Sequence, residues 1–283
     1  MSGKILVTGA TGKVGSEIVK QLATQHMAVR AGAHHPDKTK AQTGVEMVHF
    51  DYADAASIES ALEGVEGLFF MSPPPQPGSD KMGQTVVDLA KQAGIKHIVK
   101  LSAAGVENND AAPLRAAEKM VEASGIPYTH LRPSFFNQNF STGQAESIKN
   151  GALYLPTGDG KTAFIDTRDI AAVAVAAFTA PTKHANKAYT LTGSQALDHY
   201  QVVEFISKVT GKEVKYVAMS DEDYRAMITA QGWPQPLIEM MSNLYGMVRQ
   251  GWTEGITTNV TEVLGRAPIT FEQFTRDYAQ VWS

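Results

Sequence analysis

Val7-Thr8-Gly9-Ala10-Thr11-Gly12-Lys13-Val14-Gly15 is the stretch of sequence that decides the fold. A short apolar segment precedes it, and a pattern with apolar residues on one helical face follows it. Gly9 permits a tight turn, Gly12 lets the main chain approach a pyrophosphate, and Gly15 lets the helix pack closely against the strand. In this strand–turn–helix context we predict a dinucleotide-binding turn, with a purely structural turn as the alternative.

The first half of the chain alternates short apolar runs with helical patterns, which is typical of βαβ units and a parallel sheet. Strands are predicted at residues 4–8, 28–33, 46–51, 67–72, 97–101 and 128–132. Helices are predicted at residues 12–24, 55–62, 81–92 and 113–124. The predicted fold class is therefore α/β, a Rossmann-type doubly wound parallel sheet.

After about residue 135 the alternation becomes irregular. The pattern predicts a buried helix at 170–178, a short strand at 187–191, a helix at 200–210 and helical segments within 221–265. We predict a nucleotide-binding domain at 1–135, to which 160–192 contribute late elements. The remainder, 136–283, is predicted to be a smaller, mostly helical C-terminal substrate cap interleaved with the first domain.

Composition excludes several classes of function. With 25 basic and 29 acidic residues, a net charge of −4 and no Lys/Arg-rich block, the chain is not expected to bind nucleic acid. It has no cysteine, which excludes disulfides, thiolate nucleophiles and Cys-based zinc sites, and its eight histidines are scattered, so no metal site is predicted. The start of the chain leaves no room for a signal peptide, and no apolar run suffices for a membrane helix. We expect a cytoplasmic protein that is monomeric or homodimeric.

The end of the second predicted strand bears on the choice of cofactor. An acid about 20 residues after the glycines would bind a ribose 2′-hydroxyl and repel a 2′-phosphate. This strand ends at Ala33 without an acid, and His34 and Lys38 follow it. They are predicted to contact a 2′-phosphate, with help from Arg30 if its side chain points there. NADP (NADPH) is therefore favoured and NAD remains possible, and the alternative is that the loop histidines have no role.

Several motifs together carry a resemblance to a known family. They are Val7-Thr8-Gly9-Ala10-Thr11-Gly12, Asp51-Tyr52, the run from Gly125 to Pro133, Asp169-Ile170-Ala171 and Leu264-Gly265. With them the chain resembles the NmrA-like branch of the atypical short-chain dehydrogenase/reductase superfamily, which includes bacterial NADPH-dependent quinone and triphenylmethane dye reductases. The resemblance covers nearly the whole chain and is specific for fold and cofactor, but not for substrate.

The resemblance implies a set of contacts along the carboxyl ends of the strands, where ligands of open parallel sheets bind. Asp51 would lie near the adenine, and the segments around Met71 and Ser102 near the ribose and nicotinamide. The complete predicted cofactor set is Gly9, Thr11, Gly12, Lys13, Val14, His34, Lys38, Asp51, Tyr52, Met71, Ser72, Pro73, Ser102, Pro133 and Phe136. The predicted substrate pocket is Phe135, Phe136, Asn137 and Trp233. Alternatively, these aromatic side chains only fill the core.

The catalytic pattern of the wider superfamily is missing. Its Tyr-x-x-x-Lys motif supplies a proton donor and a lysine that lowers the donor's pKa. At the corresponding positions this chain has Leu114 and Glu118, so no catalytic residue is assigned. Ser102 could hydrogen-bond a carbonyl, or it could be a local cap. Reduction of a simple ketone is not expected, whereas a quinone or cationic dye accepts hydride into a delocalised system.

Three functions remain open at this point, of which the least favoured is a tailoring enzyme of secondary metabolism that uses the same pocket. The first is an NAD(P)H-dependent reductase that transfers hydride to a small conjugated acceptor, quinone-like or dye-like. The alternative is a non-catalytic NAD(P)-binding redox sensor of the NmrA type, which would suit the missing Tyr and Lys.

Overall fold

The structure, a computed structural model, describes residues 3–38, 43–74 and 76–283, and for Lys38 only the main chain. The strands are β1 (Lys4–Val7), β2 (Val29–Ala33), β3 (Val45–His49), β4 (Val65–Phe70), β5 (His97–Leu101), β6 (Tyr128–Pro133), β7 (Ala152–Leu155), β8 (Lys187–Leu191) and β9 (Lys215–Ala218). The helices are α1 (Lys13–Thr24), α2 (Ala55–Leu62), α3 (Ser79–Gln92), α4 (Pro113–Ala123), α5 (Ala145–Lys149), α6 (Thr167–Thr179), α7 (Pro181–His184), α8 (His199–Thr210), α9 (Asp221–Ala230), α10 (Gln235–Arg249), α11 (Asn259–Leu264) and α12 (Phe271–Tyr278).

A seven-stranded parallel sheet in the order β3-β2-β1-β4-β5-β6-β8 organises the first part of the chain. Val7, at the end of β1, lies beside Ala31 of β2 and Phe69 of β4. The strand order therefore reverses at β1, and such a switch point opens a crevice at the carboxyl ends of the strands. The predicted Rossmann-type doubly wound parallel sheet is confirmed.

Helices cover both faces of this sheet because each has an apolar stripe. In α1 the buried residues include Val14, Ile18 and Leu22, which recur every four residues on one side. This helix packs against α6, and the Gln21 side chain donates to the main-chain carbonyl of Arg168 at 2.9 Å. On the other face, α2, α3 and α4 contribute to a core cluster that includes Ile58, Val86 and Val121.

The chain divides into two compact units. Unit 1 comprises Met1–Pro133, Thr167–Leu191 and Asn259–Arg266, and contains the seven-stranded sheet. Unit 2 comprises Ser134–Asp166, Thr192–Thr258 and Ala267–Ser283. The predicted domain limits and the predicted substrate cap stay predictions.

Unit 2 combines a two-stranded parallel sheet of β7 and β9 with α5, α8, α9, α10 and α12. Its core is rich in aromatic side chains, and the ring of Phe140 lies 5.2 Å from that of Phe164 and 5.5 Å from that of Phe271. The fully buried Trp282 donates its indole N–H to the carbonyl of Phe140 at 2.9 Å, which ties the last residues into this core. The sequence did not predict β7 or β9.

Several predicted boundaries were wrong by a few residues. The strands predicted at 46–51 and 67–72 are β3, which ends at His49, and β4, which ends at Phe70. Asp51, Tyr52 and Met71 therefore follow their strands. The remaining differences are small: α1 begins at Lys13, β2 at Val29, α3 at Ser79, α6 at Thr167 and α8 at His199. Apolar periodicity indicates which residues are buried but not where a hydrogen-bond ladder stops.

No helix in the described ranges combines the length and the hydropathy that crossing a membrane requires.

Candidate cofactor-binding site

The three glycines of the turn after β1 have different surroundings. Gly9 has a φ of +62°, a left-handed conformation that glycine adopts without strain. A Cβ at Gly15 would lie 2.2 Å from the Gly9 carbonyl oxygen, so α1 approaches the turn too closely for any side chain. A Cβ at Gly12 would meet one described atom within 4 Å, the same oxygen at 3.2 Å. Gly15 therefore serves packing, whereas the space beside Gly12 is open to a ligand.

The N-terminus of α1 lacks the usual side-chain partners. Its N-cap is Gly12, which offers no capping side chain, and no acid lies in the first turn. In contrast, Asp54 caps α2 by accepting from the Ala56 N–H at 3.0 Å. Uncapped amides and the partial positive charge of a helix start suit a phosphate. The turn and α1 thus fit the pyrophosphate of a dinucleotide.

The neighbours of Gly12 can contribute in different ways. Thr11 and Lys13 are exposed, and their side chains can reach a ligand. Val14 is buried in the first turn, so only its main chain is placed to contact a phosphate. All of these residues belong to the predicted cofactor set, and their roles stay predictions.

A set of hydrogen bonds holds Met71 at the end of β4. The Thr8 hydroxyl donates to the Phe69 carbonyl at 3.0 Å and accepts from the Met71 N–H at 2.9 Å. The Tyr52 hydroxyl donates to the Met71 carbonyl at 2.6 Å, and burial raises the pKa of Tyr52 to about 12. A Cβ at Gly9 would lie 2.1 Å from the Met71 methyl, so this side chain covers the turn. Tyr52 thus braces the strand ends with its hydroxyl.

The predicted contacts on the neighbouring strands lie at their carboxyl ends. Ser72 is half-buried, and its hydroxyl has no hydrogen-bond partner among the described residues. Pro73 is buried beside it, and Pro133 is buried at the end of β6, where its carbonyl accepts from the Ala104 N–H at 3.0 Å. Unit 1 therefore brings these residues to the edge that the sequence predicted.

His34 and Asp51 come together at the ends of β2 and β3. The His34 Nδ1 lies 3.5 Å from the Asp51 Oδ2, and both side chains are accessible. The other Asp51 oxygen accepts from the Ala53 N–H at 2.9 Å, which fixes the carboxylate. Lys38 lies in a 3₁₀ turn, Pro36–Lys38, and its side chain lies outside the described residues.

The suggestion that Arg30 assists at this site was wrong. Arg30 is buried, and its guanidinium donates to the carbonyls of Ala61 and Glu63 at 2.9 and 2.8 Å. It also pairs with the Glu46 carboxylate at 2.9 Å. Arg30 points toward the end of α2, where main-chain carbonyls accept from its Nη1. It is thus part of the scaffold.

A buried ionic network occupies the face of unit 1 where the superfamily's Tyr-x-x-x-Lys motif would lie. Glu118 is fully buried and accepts from the Arg132 Nε and Nη2 at 2.9 and 2.8 Å and from the Arg115 Nη1 at 2.8 Å. Burial by itself would raise the pKa of Glu118, but hydrogen bonds, that from Arg132 foremost, lower it to about 2. Glu118 is therefore a carboxylate at neutral pH and donates no proton. Leu114 precedes it in the first turn of α4.

Lys100 is a second buried charge, which the sequence analysis missed. Its ammonium lies 5.2 Å from the centre of the Phe70 ring and donates to the Leu101 carbonyl. Burial lowers the pKa of Lys100 to about 7, although the charge of Glu118 opposes this shift. The available signal was a lysine within an otherwise apolar strand. Ser102 is also buried, and its hydroxyl has no hydrogen-bond partner among the described residues.

One cluster within the described residues has the spacing of a metal site. Ligand atoms of Glu118, Glu122 and His130 lie within 4.8 Å of one another. However, Arg115 Nη1 lies 2.8 Å from a Glu118 oxygen and 2.6 Å from a Glu122 oxygen. The guanidinium already supplies the positive charge between the two carboxylates, so this cluster is an ion-pair network.

The predicted substrate residues all belong to unit 2. Phe135 packs on the unit's core and stacks on Tyr245 with 6.5 Å between ring centres. Asn137 is fully buried, and neither end of its carboxamide has a hydrogen-bond partner among the described residues. Phe136 is half-buried, and the Trp233 side chain is 36% exposed. A buried, unpaired amide is costly, so Asn137 suits a polar ligand group or a water.

The comparisons with known proteins agree with this geometry. The model of the NmrA-like family matches residues 1–274. The chain belongs to the NmrA-like family. The resemblance predicted from the sequence is thus confirmed.

Relatives of this NmrA-like protein include several reductases. An NAD(P)H azoreductase of Xenophilus azovorans is 34% identical over 281 residues, which cover 97% of this chain and 98% of the relative. Quinone oxidoreductase 2 of Escherichia coli is 32% identical over 258 residues, which cover 84% of this chain and 86% of the relative. The crystal structure of the Citrobacter sp. triphenylmethane reductase complexed with NADP(H) matches with a TM-score of 0.83 and 27% identity, covering 98% of this chain and 99% of that one.

Gly12→Ala and Gly15→Ala form a matched pair that separates ligand binding from packing. We expect Gly12→Ala to weaken NADP⁺ binding by about tenfold or more, because its methyl group enters the space that a pyrophosphate needs, with little loss of stability. Gly15→Ala should lower the free energy of unfolding by about 1–3 kcal/mol, because its methyl group overlaps the Gly9 carbonyl. Calorimetry and urea unfolding measure the two effects. Equal NADP⁺ affinity in Gly12→Ala and wild type would contradict the assignment.

Lys100→Met tests the buried ammonium. Because an ordinary lysine titrates near 10.5 and Lys100 near 7, the unfolded chain binds more protons between these values. Stability contributed by this group therefore rises with pH across that window. The wild type should gain stability relative to Lys100→Met by about 1 kcal/mol per pH unit between pH 7.5 and 9.5.

Chemical denaturation at several pH values measures this difference, with Lys119→Met as the control at an exposed lysine of α4. The control should differ from the wild type by the same amount at every pH. Parallel pH curves for the wild type and Lys100→Met would show that Lys100 is not perturbed.

Proposed function

We propose that this NmrA-like protein is an NADPH-dependent reductase that transfers hydride to a small conjugated acceptor, quinone-like or dye-like. The observation that carries the proposal is the uncapped start of α1, with the open space beside Gly12. The azoreductase, the quinone oxidoreductase and the triphenylmethane reductase support it, since their names describe reduction of conjugated acceptors. Each matches most of this chain.

The residues of unit 1 would bind and orient the cofactor. Gly12 and the first turn of α1 hold the pyrophosphate, while Asp51 lies at the adenosine end. Met71, directly after β4, and Pro133, the last residue of β6, lie along the same sheet edge and would border the ribose and the nicotinamide. When bound, NADPH supplies the hydride.

The absence of a proton donor in the network around Glu118 restricts the acceptor. Glu118 is a carboxylate held by Arg132 and Arg115, and the buried Lys100 is inaccessible to a substrate. A quinone needs no acid during hydride transfer, because it spreads the two added electrons over its ring and carbonyl oxygens. The hydroquinone anion then takes its proton from water. A simple ketone would instead form a localised alkoxide, which needs an acid.

The acceptor would contact aromatic side chains of unit 2. Phe135, which is half-buried, would supply an apolar surface. The cytoplasmic location and the monomeric or homodimeric state stay predictions.

The test is anaerobic oxidation of NADPH by the purified chain, followed at 340 nm. The panel comprises a naphthoquinone, an azo dye, a triphenylmethane dye and, as the negative control, an aliphatic ketone. We expect turnover with at least one conjugated acceptor and at least about 100-fold less with the ketone, because only the former stabilises the added charge. Gly12→Ala should raise the KM for NADPH without abolishing kcat.

Binding of NADPH without oxidation by any conjugated acceptor would overturn the reductase proposal and leave the sensor alternative. Rapid reduction of the ketone would contradict the argument from the missing acid.

A further inference from the structure

Helix α10 carries a second apolar face beside the one that it buries. The buried face includes Ile238 and Tyr245. The members of the second face recur at intervals of three, four and three residues and are half-buried or exposed: Leu237, Met240, Leu244 and Met247. We call these four residues the α10 stripe. Met240 is 41% exposed, so the apolar spacing of this face does not mean burial in the core of unit 2.

An exposed tryptophan lies beyond each end of α10. Trp233 precedes the helix, and Trp252, which is 69% exposed, follows it. The main chain holds both, because the Trp233 N–H donates to the Ile228 carbonyl at 3.2 Å and the Trp252 N–H to the Met247 carbonyl at 3.1 Å. Fixed, exposed aromatic side chains beside an apolar helix face are typical of a surface that binds another molecule.

The order of residues in the α10 stripe is symmetric. Leu237 and Met247 lie five residues to either side of residue 242, and Met240 and Leu244 lie two residues to either side of it. The two leucines are seven residues apart, as are the two methionines, which is the spacing of the seam between paired helices. In an antiparallel pair of α10 helices, each leucine of the stripe would therefore face a methionine of the other copy.

The two tryptophans fit the same two-fold axis. Trp233 lies nine residues before residue 242, and Trp252 lies ten residues after it. We propose that α10 forms the interface of a homodimer, in which the stripes of two copies pack antiparallel and Trp233 of one protomer packs on the partner's Trp252. A two-fold interface requires a surface that is complementary to itself, and this one is. The inference goes beyond the proposed function and involves no cofactor.

The residues beside the stripe favour a second copy as the occupant. Pro236, Asn243 and Gln250 follow one another at seven-residue spacing on the side of α10 next to Met240. All three are exposed, and none is charged. Because every charge near a two-fold axis meets its own copy, a charged border would repel the second protein. An uncharged border allows the same surface to meet itself.

The charged residues of α10 have partners within the chain. Glu239 accepts from the Arg225 guanidinium at 2.8 and 2.9 Å. Arg249, in the last turn, lies 3.6 Å from a carboxylate oxygen of Asp221. These pairs neutralise the helix locally, so two copies approach without a net electrostatic cost.

The exposed area suits a weak dimer. An interface of standard size buries about 800 Å² on each partner. A large aromatic side chain supplies roughly 150–250 Å² when it is fully buried. Trp233, Trp252 and the α10 stripe are only partly exposed, so together they supply part of the standard area. We therefore expect a dissociation constant on the order of 10 µM.

Sedimentation equilibrium of the whole chain, at concentrations on both sides of that value, measures the association. Met240→Lys should weaken it by at least about tenfold, because an ammonium group would enter an apolar contact twice in each dimer. Val217→Lys is the matched control, since Val217 is a 39% exposed apolar residue of β9, outside α10. The control should keep the dissociation constant of the wild type.

Leu244→Glu tests the antiparallel register. In the proposed dimer Met240 faces Leu244 of the other copy, so a mixture of Met240→Lys and Leu244→Glu chains can form an ion pair across the interface. Each variant alone should be largely monomeric, and the equimolar mixture should associate at least about tenfold more tightly than either, because unlike charges then meet. Circular dichroism checks that both variants are folded.

A wild type that stays monomeric at the highest concentration would overturn the proposal. A dimer that Met240→Lys leaves unchanged, or that Val217→Lys weakens equally, would overturn it as well, since the contact would then lie elsewhere. A mixture that associates no better than the separate variants would reject the antiparallel arrangement. A monomeric wild type in which Met240→Lys raises the KM of a conjugated acceptor would show that the stripe binds the acceptor instead. Sedimentation needs no nucleotide, so its outcome is independent of the reductase proposal.

Discussion

The structure of unit 1 depends on the contact between Gly15 of α1 and the Gly9 carbonyl. Any side chain at residue 15 would overlap that oxygen, so the approach of helix to turn exists only with glycine there. The contact directs the uncapped start of α1 to the centre of the sheet, where the strand order reverses. An unpaired helix start is a cost to folding that a bound anion removes. One packing constraint thus creates the phosphate site.

Periodicity predicted the sheet of unit 1 well because each βαβ unit is local in sequence. Short apolar runs predicted β1 to β6, and the helical patterns between them predicted parallel crossovers. The pair β7 and β9 was missed for a physical reason. Each strand has four residues, and about 60 residues separate them, so neither carries a pattern that identifies its partner.

The sequence predicted the positions of site residues well where the main chain sets them. It predicted the directions of side chains less well, because partners distant in sequence set those. The positions of Gly12, Asp51 and Met71 follow from the ends of strands. The direction of Arg30 does not, because the carbonyls at the end of α2 that bind it are 30 or more residues away. The burial of Lys100 likewise depends on Phe70 and Glu118, which belong to other elements.

The network around Glu118 explains how the missing Tyr-x-x-x-Lys motif limits the acceptors that this chain can reduce. At the position where the resemblance predicts the superfamily's lysine, this chain has a carboxylate that accepts hydrogen bonds from two arginines. Removing one partner from such a buried group costs several kcal/mol, roughly 3–5, because it leaves a charge unpaired. Glu118 is therefore fixed as a structural anion. Protonation of its carboxylate would leave the charges of Arg115 and Arg132 without this partner. Acceptors that disperse the added electrons themselves are the ones compatible with this arrangement.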